Sequence, residues 1–351
     1  MSSEKGLAER PLRPGDVVEV KSAAEIRATL DGDGGIGGMP FMPEMVRYAG
    51  RRFTVKHRVD KICDTVATTG SRRMHDTVYL GDLRCDGSAH GGCQAGCRIY
   101  WKEAWLRRVE DGSSATETGD DEGTAELERL ALAGTHPAQP SDDDGRELWR
   151  CQATEALNAS EHLKVSNLTQ YWRELRNGNF RPLRFIALLA RAFVMEVGNR
   201  TGLLKELPLH GPPSRPPAQP LNVKPGDRVR VKAPADIAAT LDEGGFDRGL
   251  SFDREMLPYC GRTLRVKDRV ERIIADETGH MLKIPKDCLI LEGSVCSGVR
   301  STGRWFCPRE IYPFWREAWV ERVDEADGGH AQSNGAGPSA AESSVPRVGR
   351  S

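Results

Sequence analysis

The densest chemistry in the chain lies in Cys85-Asp86-Gly87-Ser88-Ala89-His90-Gly91-Gly92-Cys93-Gln94-Ala95-Gly96-Cys97. Its three thiols and one imidazole fall in the spacing C-x4-H-x2-C-x3-C, which departs from the common zinc-finger spacings. Three thiolates and an imidazole meet the four-coordinate tetrahedral demand of a structural zinc ion. Soft sulfur and borderline nitrogen donors favour zinc over hard cations. Glycines at 87, 91, 92 and 96 let the backbone curl around a centre. The candidate metal ligands are therefore Cys85, His90, Cys93 and Cys97, and zinc is the expected cofactor. Two other readings fit the same residues. One is a glycine-rich loop with reduced, buried cysteines. The other is a disulfide, which a reducing compartment disfavours.

The chain repeats itself. Pro14-Gly15-Asp16-Val17-Val18-Glu19-Val20-Lys21 returns as Pro225-Gly226-Asp227-Arg228-Val229-Arg230-Val231-Lys232, an offset of 211. That offset holds through Glu44/Glu255, Tyr48/Tyr259 and Cys85/Cys296. It becomes 214 for Cys93/Cys307 and for Trp101-Lys102-Glu103-Ala104-Trp105 against Trp315-Arg316-Glu317-Ala318-Trp319. A unit near 100 residues is a duplicated domain rather than a solenoid repeat. The second copy keeps Cys296 and Cys307 but has no counterpart of His90 or Cys97. It adds Cys260 and Cys288, so Cys260, Cys288, Cys296 and Cys307 form a second candidate site if the fold gathers them. The competing reading is a copy that has lost its site and keeps core cysteines. Cys63 aligns with Ile274 and reads as a core side chain, and Cys151 reads as buried.

The elements that must position these residues are short. Val18 and Val20 alternate in the strand manner after a Pro-Gly-Asp turn, and Ser22 with Glu25 forms a capping box for a helix over 23–30. Strands are expected over 52–62 and 77–83. The tryptophan pairs share a face and read as core. Glu103 is expected to be solvated or paired with Arg107 or Arg108, and Glu44 and Glu255 to edge a binding loop or cap a helix. The fold class is mainly β with a helical insert: two small SH3-like antiparallel barrels from an internal duplication.

The Gly-Asp-x-Val-x-Val opening is similar to the first strand of SH3-like barrels, including the KOW type. The Arg-Cys-Asp-Gly…His-Gly-Gly-Cys…Trp-Lys-Glu-Ala-Trp-Leu pattern resembles a group of bacterial proteins of unknown function, and that resemblance implies no activity. Cys85 to His90 is also similar to the Cys-Asp-Gly-Ser-His signature of a two-iron cluster family. Ala89 is inserted before the histidine and the upstream Cys-x-Cys pair is missing, so an iron–sulfur site is not expected.

These readings divide the chain into a disordered start (1–11), the first repeat (12–110), an acidic flexible linker (111–145), a helical hairpin with a basic exposed face (146–210), a Pro-rich linker (211–221), the second repeat (222–324) and a disordered tail (325–351). The formal charge of −1 hides −9 in residues 111–145 and +5 in residues 146–215. Neither repeat exceeds +2, which disfavours nucleic acid as the partner. No phosphate loop, dinucleotide fingerprint or nucleophile elbow occurs. No leader or membrane span is read, and the expected location is cytoplasmic. The expected function is a non-catalytic binding scaffold with a protein partner. The alternatives are a metal- or thiol-dependent enzyme or redox accessory protein using the Cys85–Cys97 cluster, and nucleic-acid binding through KOW-like barrels.

Overall fold

The computed structural model describes residues 10–67, 70–109, 121–164, 166–201, 211, 221–284, 287–301 and 304–323. The expected disordered tail, all but two residues of each of the disordered start and Pro-rich linker, and residues 111–120 of the acidic linker lie outside them.

The first repeat runs β1 (Val17–Val20), α1 (Ala23–Arg27), β2 (Gly35–Ile36), β3 (Met39–Pro40), α2 (Pro43–Val46), β4 (Arg52–Arg58), β5 (Lys61–Cys63), β6 (Ser71–Arg73), β7 (Thr77–Leu80), β8 (Trp101–Lys102) and β9 (Leu106–Arg108). The capping box forms: Ser22 N donates to Glu25 Oε2 at 3.0 Å, and Glu25 N donates to Ser22 Oγ at 3.4 Å. The antiparallel sheet has the order β8-β7-β4-β1-β9. Trp101 and Trp105 are fully buried, and Phe41 meets both edge to face. They are core, as their spacing implied.

The segment between the repeats departs from expectation twice. A helix, α3 (Asp121–Ala133), forms inside the stretch read as a flexible linker. Leu127 and Ala131 lie one turn apart, pack on α1 and α2, and are buried; Glu126 pairs with Arg27 at 2.9 Å. A single apolar stripe suffices to dock an acidic helix. After it come β10 (Glu161–Leu163), α4 (Thr169–Asn177) and α5 (Pro182–Thr201). Both helices form where the spacing placed them, and Gly178 ends the first in a left-handed cap. Arg176, Arg181, Arg184 and Arg191 are exposed, but they share the surface with apolar side chains. The polar Gln170, Glu174 and Asn177 point inward, toward Lys61 and Asp60, whereas Leu168, Trp172, Leu183, Ile186, Phe193 and Val194 are exposed. α4 docks through these polar residues on buried charges at the ends of β4 to β6, whereas α5 docks through Phe185, stacked on Phe306, and Ala192.

The second repeat runs β11 (Arg228–Val231), α6 (Pro234–Ala238), β12 (Phe246–Asp247), β13 (Leu250–Ser251), β14 (Thr263–Arg269), β15 (Arg272–Ile274), β16 (Met281–Lys283), β17 (Cys288–Leu291), β18 (Trp315–Arg316) and β19 (Val320–Arg322). Its sheet order, β18-β17-β14-β11-β19, repeats the first position for position. An irregularity breaks the register between Val55 and His57 in one sheet and between Val266 and Asp268 in the other, again 211 apart. Trp315 and Trp319 are buried against Phe252. The protein is thus mainly β, built of small antiparallel sheets with few helices. Among the described residues neither five-stranded sheet closes into a barrel. The edge strands β8 and β9, like β18 and β19, are two and three residues long and are joined by a 3-10 turn that holds them apart. Among the described residues no helix is long and apolar enough to cross a membrane.

Reciprocal contacts join the repeats. Thr65 and Asp276 occupy equivalent positions, and Thr65 Oγ1 donates to Asp276 Oδ2 at 2.8 Å. Cys63 N donates to Cys307 Sγ at 3.1 Å, and the equivalent Ile274 N donates to Cys93 Sγ at 3.4 Å. Each cysteine loop therefore caps a strand of the other repeat.

Glu310 adds charge to this joint. It accepts from Arg98 Nε at 2.7 Å and Lys56 Nζ at 3.1 Å, and its Oε1 lies 3.3 Å from His57 Nε2. Burial pushes its carboxyl up, but the His57 hydrogen bond and the Arg98 and Lys56 contacts outweigh it and hold the group well below the ordinary carboxylate range. A depressed carboxylate contributes stability that is complete above its ordinary value of 4.5 and is lost as pH falls below it. Urea midpoints at pH 7 and pH 3 are therefore expected to converge between the wild type and Glu310→Gln, the wild type losing more on acidification. Parallel losses in both proteins would refute the contribution.

Candidate metal centre

The loop after β7 begins with a backbone closure that only glycine permits. Cys85 N donates to Cys97 O at 2.8 Å, joining the ends of the cluster. Inside it, Gly87 has φ +70°, and a Cβ there would lie 2.0 Å from Cys93 O. The equivalent Gly298 has φ +65° and would meet Cys307 O at 2.3 Å. Both repeats thus fold the cysteine loop the same way, through a left-handed glycine against the second cysteine's carbonyl.

The sequence did not place Glu44 among the ligands, yet the loop is wrapped around it. Its side chain is 0% exposed, and Oε1 contacts His90 Nδ1 at 2.8 Å and accepts from Ala89 N at 3.2 Å. Cys85 Sγ approaches the same oxygen at 3.7 Å. Ligand atoms of Glu44, Cys85 and His90 lie within 4.8 Å of one another, the one such group of three or more metal-ligating side chains among the described residues. The cluster can hold a metal ion. The only hint in the sequence was that Glu44 and Glu255 recur at the repeat offset.

Cys93 and Cys97 stand outside that group of three but line the same cavity as Cys85 and His90, together with Cys151 and Asp276. The cavity measures about 30 Å³. That is room for one ion or one or two waters, at roughly 10–15 Å³ for a water. Its walls come from the first repeat, the insert and the second repeat. Gln152 of the insert fixes one wall: its Oε1 accepts from Tyr100 N at 2.7 Å, and its Nε2 donates to Tyr100 O at 2.8 Å and to Pro40 O at 3.0 Å.

Burial sets the electrostatics of the cluster. Burial pushes the Glu44 carboxyl up, but the hydrogen bond and charge of His90 outweigh it and keep Glu44 low and ionised. Burial pushes the Cys85, Cys93 and Cys97 thiols up, and Cys151 rises to about 12. His90 Nε2 and Glu44 Oε2 are buried with no hydrogen-bond partner. Buried polar atoms are nearly always satisfied, and His90, which carries one of these orphans, lines the small cavity.

The second repeat resolves the same geometry differently. Glu255 is buried like Glu44, but its carboxylate accepts from Ser297 N at 2.9 Å, Ser297 Oγ at 2.6 Å, Arg300 N at 2.6 Å and Ser301 N at 3.1 Å. Serine hydroxyls and backbone amides stand where the first repeat has an imidazole. The four-cysteine site proposed from Cys260, Cys288, Cys296 and Cys307 is not assembled. Cys288 faces the core from β17 beside Val270 and Ile290, and Cys260 is half-buried against the second repeat's own core. Strand alternation commits Cys288 to that core, away from the loop. Cys296 and Cys307 instead share a cavity with Cys63 of the first repeat.

Glu103 also differs from its expected role. It accepts from Arg58 Nη1 and, at 3.1 Å, from Leu12 N, instead of pairing with Arg107 or Arg108. Glu317 repeats this with Arg269 Nη1 and with Leu221 N at 2.6 Å. Both acids pin the chain entering their repeat, and no reacting group accompanies either. Comparison of the chain with protein-family models, curated proteins and solved structures finds no match.

Proposed function

We propose that this chain is a non-catalytic binding scaffold of two SH3-like modules that arose by duplication, stapled by one structural zinc ion. Cys85, His90, Cys93 and Cys97 supply the ligands, and Glu44 orients His90 through Nδ1, the usual second partner of a metal-bound imidazole. The observation that carries the reading is His90 Nε2, buried and unpartnered on a cavity lined by three cysteines of its own loop. Catalytic zinc keeps an open position for substrate, whereas a cavity of about 30 Å³ has no room for one beside the ion. The ion would tie the first repeat to the insert and second repeat that complete the cavity.

The partner in this reading is a protein. Trp172 is 68% exposed and Phe193 69%, on a helical hairpin whose polar side is already used for docking. Exposed aromatic and aliphatic side chains of this density mark an interaction face.

Elemental analysis of the purified full-length chain tests the staple. About one zinc per chain is expected; less than ~0.2 metal per chain, with all thiols titratable in the folded protein, refutes it.

A further inference from the structure

Cys63 and Cys307 take no part in the candidate metal centre, yet they are in direct contact. Cys63 N donates to Cys307 Sγ at 3.1 Å, which sets the second thiol against the backbone of the first. Both are buried, but they line a cavity of about 160 Å³ that opens to solvent. Charges of both signs surround them, with Arg304, Asp253 and Glu255 all on the cavity wall. Arg304 lines the cavity, and its Nε is buried with no hydrogen-bond partner. Arg309 is buried, and its Nη1 lies 3.3 Å from both Cys63 O and Thr65 Oγ1. Of the two acids on the wall, Glu255 is saturated by the serine loop and Asp253 accepts from Glu255 N at 2.8 Å. The two guanidiniums near the thiols favour a thiolate.

The two sulfurs are not equivalent. The Cys307 hydrogen bond, helped by Arg309 and Arg304 against the cost of burial, holds the Cys63 thiol below its ordinary value. Burial, and then the Cys63 neighbour, push Cys307 up.

We propose that Cys63 and Cys307 are a peroxide-reactive dithiol whose oxidation to a disulfide covalently joins the two repeats. The oxidant is a small hydroperoxide, which the cavity accommodates. The Cys63 thiolate attacks the terminal oxygen, the O–O bond breaks, and a sulfenic acid forms while hydroxide or alkoxide departs toward the Arg304 Nε–H. The Cys307 thiol then attacks the Cys63 sulfur. The S–O bond breaks, the thiol proton leaves with the hydroxyl as water, and the S–S bond forms. Two electrons pass from the sulfurs to the peroxide oxygens, and a dithiol reductant reverses the change. A disulfide here would lock the strand–loop clasp whose counterpart, Ile274 on Cys93, has no second sulfur to close it.

The test uses the reduced full-length chain, equimolar hydrogen peroxide, alkylating quench and peptide mass spectrometry. A Cys63–Cys307 cross-linked peptide pair is expected as the first product. Cys307→Ser is expected to stop at a Cys63 sulfenic acid that dimedone traps. Arg304→Ala is expected to slow the reaction about tenfold, the worth of one lost charge-assisted hydrogen bond. Because Arg304 lies at the cavity wall, this variant keeps the test valid if Cys307→Ser does not fold. A first cross-link from Cys63 to Cys296, oxidation that begins at another cysteine, or an unchanged rate in Arg304→Ala would overturn the proposal.

Discussion

His90→Ala is expected to lower the metal content of the purified chain from about one ion to below ~0.2, and to remove the stability that the ion confers. The argument rests on geometry. His90 is 1% exposed, its Nδ1 is engaged by Glu44, and Nε2 is the one nitrogen left for a ligand. A ligand present at a thousand times its dissociation constant stabilises the folded state by about 4 kcal/mol, and the variant forfeits that amount. The variant also leaves Glu44 as a buried anion without its imidazole, which adds a cost that does not depend on metal. The two are separated by measuring unfolding with and without chelator: the wild type should lose stability on chelation, and His90→Ala should not. Glu44→Gln should retain the fold and weaken metal affinity by about 10–100-fold, as losing an outer-shell carboxylate does. Equal metal content in wild type and His90→Ala, or a wild type indifferent to chelation, would remove the staple.

Glu317→Ala should destabilise the protein by about 3–5 kcal/mol, and Glu103→Ala by clearly less. The two acids are equivalent in the repeats, so the difference isolates burial. The Glu317 side chain is 1% exposed and bonds Arg269 Nη1, Leu221 N and, at 3.0 Å, Asn222 N. Removing it strands two backbone donors, those of Leu221 and Asn222, while Arg269 keeps Val223 O at 2.6 Å. The Glu103 side chain is 24% exposed, and its partner Arg58 keeps Asp60 at 2.9 Å when Glu103 is gone. Chemical denaturation of both variants measures the contrast. Equal losses would mean that burial does not set the value of this pair.

The sequence alone determined the repeat, the strands β1, β4 and β7 and the helix α1 within it, the capping box at Ser22, the tryptophan cores and the helix stop at Gly178, which are local or periodic properties. It read β4 and β5 as one strand and missed α2 and the short strands β2, β3 and β6. Alternation, capping and glycine conformations act over a few residues, and an offset of 211 transfers each inference to the second copy. Cys85, His90, Cys93 and Cys97 were legible as one cluster for the same reason, since thirteen consecutive residues hold all four.

What only the tertiary structure decided is which remote groups meet. Glu44 joins His90 across forty-six positions, a pairing that no spacing rule contains. Cys63 contacts Cys307 across 244 positions, and the four cysteines of the second repeat separate because a core strand and a loop pull them apart. The acidic segment folds as α3 because α1 and α2 offer Leu127 and Ala131 a surface. α4 turns polar residues inward because Lys61 and Asp60 bond Gln170 and Asn177, while α5 buries Phe185 and Ala192 and leaves Leu183, Ile186 and Phe193 outside. Composition sets how much apolar surface a segment can bury; the neighbour it docks on decides which side is buried.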